Sequence, residues 1–244
     1  ARGGGVANPM VVQTGKAEIA LSNVASAVWA ANGDDVYQGM KAPDIRALVG
    51  GLNDVYVGVM ATKAFVEKQG TTDLAEIVAS GAPIRVLIKP VGSSAVPVAY
   101  MIMEGLGTSP EQIKANGGDI IQVDTGQIAD QMRNGNADIY IDTMIKGHPA
   151  ITEVALTSDV TFLDIPQPAM DVLEAHGLRP GSYGPDWYKG QTSATTGANL
   201  GTVLIANASL DEQTAYLITK TIIENADALK ASHGAWASFD PDQA

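Results

Sequence analysis

Four short polar stretches stand where hydrophobic runs end: Ser22-Asn23 after AEIAL, Gly92-Ser93-Ser94 after IRVLIKPV, Asp124-Thr125-Gly126 after DIIQV, and Asp142-Thr143 after ADIYI. Small hydroxyl, amide and glycine residues at a helix start leave backbone N–H groups facing outward with the positive end of the helix dipole. Such a place suits an anion. The second stretch is the most specific. Pro97 lacks an N–H and is tolerated only in a first helical turn, which puts the N-cap at Ser94 rather than Ser93. The amides of residues 93–96 then point at whatever lies above the strand, and Lys89 adds a positive charge nearby. Each stretch alone reads as an ordinary cap or turn. Together at strand ends they point to a binding cleft, because ligands of open α/β sheets sit outside the carboxyl ends of strands.

No catalytic constellation emerges beside them. His148, His176 and His233 are far apart and lack metal-ligand spacing. The nucleophile-elbow pattern fails because Val96 stands in place of its last glycine. Thr14-Gly15-Lys16 resembles the tail of a phosphate-binding loop, but Met10 occupies the first glycine position. Gly105-Leu106-Gly107 lacks the third glycine of a dinucleotide fingerprint. Asp34-Asp35 reads as a solvated turn, and Ser209 of the Asn207-Ala208-Ser209 triplet reads as a helix cap. Neither an enzyme, nor a cofactor, nor a metal is expected.

The elements that must hold these stretches follow from hydrophobic patterning. Strands are expected at 17–22, 45–50 and 55–61, with the last two pairing or sharing an edge, and a helix capped by Thr72 follows. From 84 onward strands (84–89, 119–123, 137–142, 160–165) alternate with helices, which predicts a parallel, doubly wound sheet. Ser109-Pro110-Glu111-Gln112 is a capping box. A loop at 178–193, a strand at 199–206 and a long helix from a Ser209 capping box to Ser232 complete the chain. The chain has 244 residues, enough for a sizeable core. A net charge of −12 disfavours a nucleic-acid partner or a membrane-surface patch, and no apolar run is long enough to span a bilayer. Without cysteine the redox compartment stays open.

In this order the motifs resemble the TAXI-type solute-binding proteins of tripartite ATP-independent periplasmic (TRAP) transporters. GGGVANPMVVQTGKAEIALSNVASA (3–27) is similar to that family's TGGS-x-x-N and GEADLGFVQND stretch. DLAEIVASGAPIRVLIKPVGSSAVPVAYMIMEGLG looks like its DLKGKRVSVGPPGSGT strand and helix. MRNGNADIYIDTMIKGHPAITEVA and IIENADALKASHGAW resemble two later segments, so the likeness spans the chain. Two departures bear on the ligand. The SGT loop reads Ser93-Ser94-Ala95, a methyl for a hydroxyl, and polar Asp142-Thr143 follow Tyr140-Ile141.

The resemblance implies a two-lobed α/β fold of the type II periplasmic-binding-protein kind, each lobe a sheet flanked by helices. Residues 1–66 and 191–244 would form lobe I and 67–190 lobe II. The family's first strands would precede Gly3 and its closing segment would follow Ala244, so the sequence is expected to be an internal portion, with a signal peptide upstream. The implied function is a periplasmic protein that closes its lobes on a small carboxylate (glutamate, a dicarboxylate or a 2-oxo acid) and delivers it to a TRAP permease, without itself inserting in the membrane. The expected ligand residues are Gly4, Gly5 and Asn8, in a glycine turn entering a helix, then Ser22, Asn23, Lys89, Gly92, Ser93, Ser94, Ala95, Thr125, Asp142 and Thr143. An α-amino ligand would need an acidic partner, for which Asp142 is the candidate. A cytoplasmic ligand-sensing domain of a transcription regulator is the alternative, and an enzyme the third reading.

Overall fold

A computed structural model describes residues 4–244. The chain begins with α1 (Ala7–Gln13), β1 (Ile19–Ser22), α2 (Val24–Asn32), β2 (Ile45–Val49), β3 (Tyr56–Thr62) and α3 (Lys63–Gln69). Its middle alternates through α4 (Leu74–Ala79), β4 (Arg85–Ile88), α5 (Ala95–Gly105), α6 (Pro110–Ala115), β5 (Asp119–Gln122), α7 (Ile128–Arg133), β6 (Ile139–Met144), α8 (Pro149–Thr157) and β7 (Val160–Leu163). It closes with α9 (Gln167–Ala175), β8 (Arg179–Tyr183), β9 (Thr195–Asn199), β10 (Val203–Asn207), α10 (Glu212–Glu224) and α11 (Ala226–Ser232). Two compact units result. The smaller holds the described residues through Val55, Gly92–Ser94 and Leu200–Ala244; the larger holds Tyr56–Val91 and Ala95–Asn199.

The smaller unit is an antiparallel sheet in the order β1-β10-β2. Successive side chains of a strand point to opposite faces, and β10 buries both. Val203 and Ile205 pack with Val12 of α1, while Leu204 packs with Val49, Leu52, Ala226 and Phe239 on the other side. The larger unit's sheet runs β5-β4-β6-β3-β9-β8, with β7 also bonded to β3. Its core gathers Met60, Leu87, Tyr140, Ile151 and Val154. Helix α5 buries Ala95, Val98, Ala99 and Ile102, an i, i+3, i+4, i+7 stripe that makes one apolar face.

Several expectations are corrected. Residues 45–50 and 55–61 do not pair, because β2 bonds β10 in one sheet and β3 bonds β6, β7 and β9 in the other. Accordingly β3 and β9, expected in lobe I, lie in the larger unit, whose boundaries fall at 55/56 and 199/200. The larger sheet is mixed rather than parallel, since only β4 runs parallel to its neighbours β5 and β6, while β3 is antiparallel to all of its partners. The strand expected at 199–206 is two strands in two sheets, and the loop at 178–193 contains β8, which pairs with β9. The helix caps move as well. Asp73, not Thr72, accepts the N–H groups of Ala75 and Glu76, and Asp211, not Ser209, accepts that of Thr214. The helices begin one and two residues later than expected, and at each start a carboxylate meets the positive end of the helix dipole. Asn225 divides the long final helix into α10 and α11. Ser109 does cap α6, accepting the Gln112 N–H at 3.2 Å with Pro110 first in the helix.

Candidate functional site

Eight of the residues singled out from sequence fall in the smaller unit, carried there by three separate segments: Gly4, Gly5 and Asn8; Ser22 and Asn23; Gly92, Ser93 and Ser94. Hydrogen bonds join Asn8 to Gly4, Ser22 to Gly5 and Ser94 to Asn23, and Gly92 packs against Gly4. Asn8 Nδ2 donates to the Leu21 carbonyl at 2.7 Å, and Ser22 Oγ donates to the Gly5 carbonyl at 3.0 Å. Asn23 sits before α2 in extended conformation, its Nδ2 donating to the Gly201 carbonyl at 3.1 Å. Its Oδ1 accepts from Ser94 Oγ at 2.7 Å. Ser94 directly precedes α5, the helix start that Pro97 requires.

The glycines have a packing reason. A Cβ on Gly4 would lie 2.2 Å from the Gly92 carbonyl oxygen, and one on Gly5 would lie 2.2 Å from Asn23 Oδ1 and 2.8 Å from Ser94 Oγ. Only a residue without a side chain lets these three segments close on one another. Tyr37 braces them further, donating to the carbonyls of Val6 and Ser26. Ser26 was not foreseen. It lies one turn beyond Asn23 on the same helix face, is fully buried, and its hydroxyl has no partner among the described residues. Its signal was a hydroxyl on the buried stripe of an otherwise Ala-rich helix.

The other candidates, Lys89, Ala95, Thr125, Asp142 and Thr143, belong to the larger unit. Three of them meet. Lys89 follows the end of β4, and its Nζ lies 2.9 Å from Asp142 Oδ2 on β6, with side chains 12% and 0% exposed. Asp142 Oδ2 also accepts from the Tyr140 hydroxyl, while its Oδ1 accepts from the Thr143 N–H at 2.6 Å and from Thr143 Oγ1 at 3.3 Å. Ala95 is buried at the start of α5. Thr125 opens an exposed 3₁₀ turn after β5, and no hydrogen bond joins its side chain to this group.

His148, set aside as a metal ligand, is the residue that sequence reading missed here. It precedes α8 and places Nε2 3.3 Å from Lys89 Nζ. Burial lowers its pKa, with Lys89 acting in the same direction and Asp142 opposing. An ammonium can only donate, so the neutral ring accepts through Nε2 and carries its hydrogen on Nδ1, which is buried without a partner. The Tyr188 hydroxyl donates to the Ile145 carbonyl, which also accepts the His148 N–H, so the aromatic loop fixes the turn that aims the ring. Burial raises the pKa values of Tyr140 and Tyr188, keeping both phenols protonated as donors. No sequence periodicity joins residues 89, 142 and 148, because β4 and β6 become neighbours only through the sheet.

A cavity of about 690 Å³ also opens in the larger unit, at the other end of β4 and β6. It is lined by Lys63, Arg85, Asp138 and Asp159 and contains none of the residues foreseen. Arg85 and Asp138 are locked in a two-pronged pair there, and Lys63 pairs with Asp159 at 2.7 Å. Among the described residues no helix is long and apolar enough to cross a membrane.

The mixed α/β architecture, with sheets flanked by helices, matches the fold of periplasmic-binding-protein-like structures. The family model described as NMT1-like matches residues 1–244, and the chain belongs to that family. A comparison with curated proteins gives no match. Among solved structures, the periplasmic aliphatic sulphonate binding protein SsuA from Escherichia coli is 10% identical with a TM-score of 0.52, over 93% of this chain and 60% of that one. The glycine/betaine/L-proline-binding protein ProX from Borrelia burgdorferi is 12% identical with a TM-score of 0.51, over 95% of this chain and 84% of that one. Protein AF1704 from Archaeoglobus fulgidus is 8% identical with a TM-score of 0.51, over 96% and 69%. At these identities the likeness is one of fold.

Proposed function

We propose that this chain is, or is the greater part of, an extracytoplasmic solute-binding protein that takes up a small carboxylate and hands it to a membrane permease of the TRAP type. The observation that carries the reading is the convergence of Gly4-Gly5, Ser22-Asn23 and Gly92-Ser94 in one polar cluster at a helix start. A purely structural cap needs one or two of these residues. Three segments closing backbone to backbone, with the Ser26 hydroxyl left over, suit recognition of a small polar molecule. Membership of the NMT1-like family and the fold of the binding proteins for sulphonates and betaines support the class. Lys89 supports an anionic solute, and glutamate, dicarboxylates and 2-oxo acids are the proposed set. The permease type and a periplasmic location rest on the resemblance of sequence motifs.

The test is mass spectrometry of small molecules released from the purified, denatured protein, followed by calorimetry with the compound found. A carboxylate recovered in stoichiometric amount and rebound by refolded protein is the expected result. Recovery of a cationic or uncharged compound that rebinds in place of any carboxylate would replace the ligand class.

A further inference from the structure

We infer that Lys89 is the contact through which the larger unit holds a compact oxyanion of the solute, and that Asp142 and His148 are positioning residues for its ammonium rather than ligand contacts. This rests on the solute-binding reading above and names the chemical group taken at this place.

The acceptor count decides between the two roles of Asp142. A carboxylate offers about four acceptor sites. Those of Asp142 are met by Lys89, Tyr140, the Thr143 N–H and the Thr143 hydroxyl, and the residue has no exposed surface. A solute ammonium would have to displace one of these donors and enter a site already holding a cation. Lys89 is in the opposite position. Its ammonium has three donors, and two acceptors face it, Asp142 Oδ2 at 2.9 Å and His148 Nε2 at 3.3 Å. Its side chain keeps a small exposed window, 12% of its surface. Gln122 Nε2 donates to the Lys89 carbonyl at 3.1 Å, tying the backbone of the strand end to β5. A neutral imidazole takes one donor without cancelling the charge, and a buried carboxylate fixes the direction of another. The third donor is left for an oxyanion, which forms a charge-assisted bond. The larger unit thus recognises negative charge, although the chain as a whole carries −12.

The experiment is calorimetric titration with succinate, 2-oxoglutarate, L-glutamate and ethanesulfonate, with dimethyl succinate as the uncharged counterpart. The variants are the double substitution Lys89→Met/Asp142→Asn, which removes both charges and strands neither, and the single substitutions Asp142→Asn and His148→Gln. The wild type is expected to bind at least one oxyanion and to reject the ester. The double variant is expected to lose affinity by about tenfold to a hundredfold, the worth of one charge-assisted bond, and to lose its preference for the charged compound. The single variants are expected to keep that preference while losing affinity by a few fold. Wild-type affinity in the double variant overturns the role of Lys89 and leaves solute binding standing. A preference for glutamate over 2-oxoglutarate that vanishes in Asp142→Asn overturns the role of Asp142. Wild-type protein that binds none of the four oxyanions defeats the anionic reading itself. Should the double variant not fold, the salt dependence of wild-type affinity decides, since affinity that does not weaken between about 20 mM and 500 mM salt overturns the ionic contact.

Discussion

The two polar clusters differ in what holds them. In the smaller unit the groups are neutral, donors and acceptors alternate, and glycine backbones supply the closeness: Ser22 to Gly5, Ser94 to Asn23, Asn23 to Gly201. In the larger unit one fully buried carboxylate organises everything, and an ammonium, two hydroxyls and an imidazole gather around that charge. A neutral network fails gradually when a member is lost, because each bond contributes only about 1 kcal/mol net. An ionic one fails abruptly, because a survivor is left charged and buried.

The largest effect should come from breaking the ionic cluster one-sidedly. Asp142→Ala strands the Lys89 ammonium in a nearly closed site and is expected to destabilise the protein by about 3–5 kcal/mol in denaturant titration. Lys89→Met/Asp142→Asn, in which no charge is left, should cost much less. Gly5→Val comes next. Its Cβ would fall 2.2 Å from Asn23 Oδ1, so thermal melting should show a loss of about 1–3 kcal/mol from overpacking, even without ligand.

His148 sharpens the comparison through pH. Its folded pKa is lowered by burial, so the folded state resists the proton that the unfolded state takes up near pH 6.5. The stability this ring supports is present above the unfolded value and falls as pH drops through and below it. His148→Gln should flatten that part of a pH–stability curve, whereas Ser94→Ala in the neutral cluster should leave its shape unchanged. Thr125→Ala is the smallest change. An exposed side chain without a role in either cluster should shift stability by no more than about 0.5 kcal/mol, and solute affinity should stay at the wild-type level.

Much of the neutral cluster was legible because its parts are local signals. Ser22-Asn23 and Gly92-Ser94 end hydrophobic runs, and Pro97 fixes a helix start. What the signals could not give was their use of one another. Aspartate at position 94 looks as good a cap as serine in isolation, yet here it would set its carboxylate against the Asn23 Oδ1 that Ser94 now satisfies. The ionic cluster was legible only as separate residues. Lys89 read as a positive charge near the ligand and Asp142 as an open acceptor, not as partners of one another, because their proximity is created by parallel pairing of β4 with β6. The alternation of strands and helices was plain, but strand partners were not. Patterning says that β2 and β3 are strands, not that a loop of a few residues carries the chain from one sheet to the other.

Strand β3 sets a limit on how the protein comes to exist. It is bonded on its two sides to β6, β7 and β9, and its first residue, Tyr56, pairs with Asn199. The central strand of the smaller sheet, β10, likewise joins Ser22 to Val203. Contacts this remote in sequence incur the entropy of closing long loops before any pairing is gained, and they slow folding. On the ribosome neither of these pairings can form until residues near 200 have emerged, so an apolar β3 must wait for β9. Refolding from denaturant should therefore be slow for a chain of this size, with fluorescence of Trp29 and Trp236 reporting on the smaller unit and that of Trp187 on the larger.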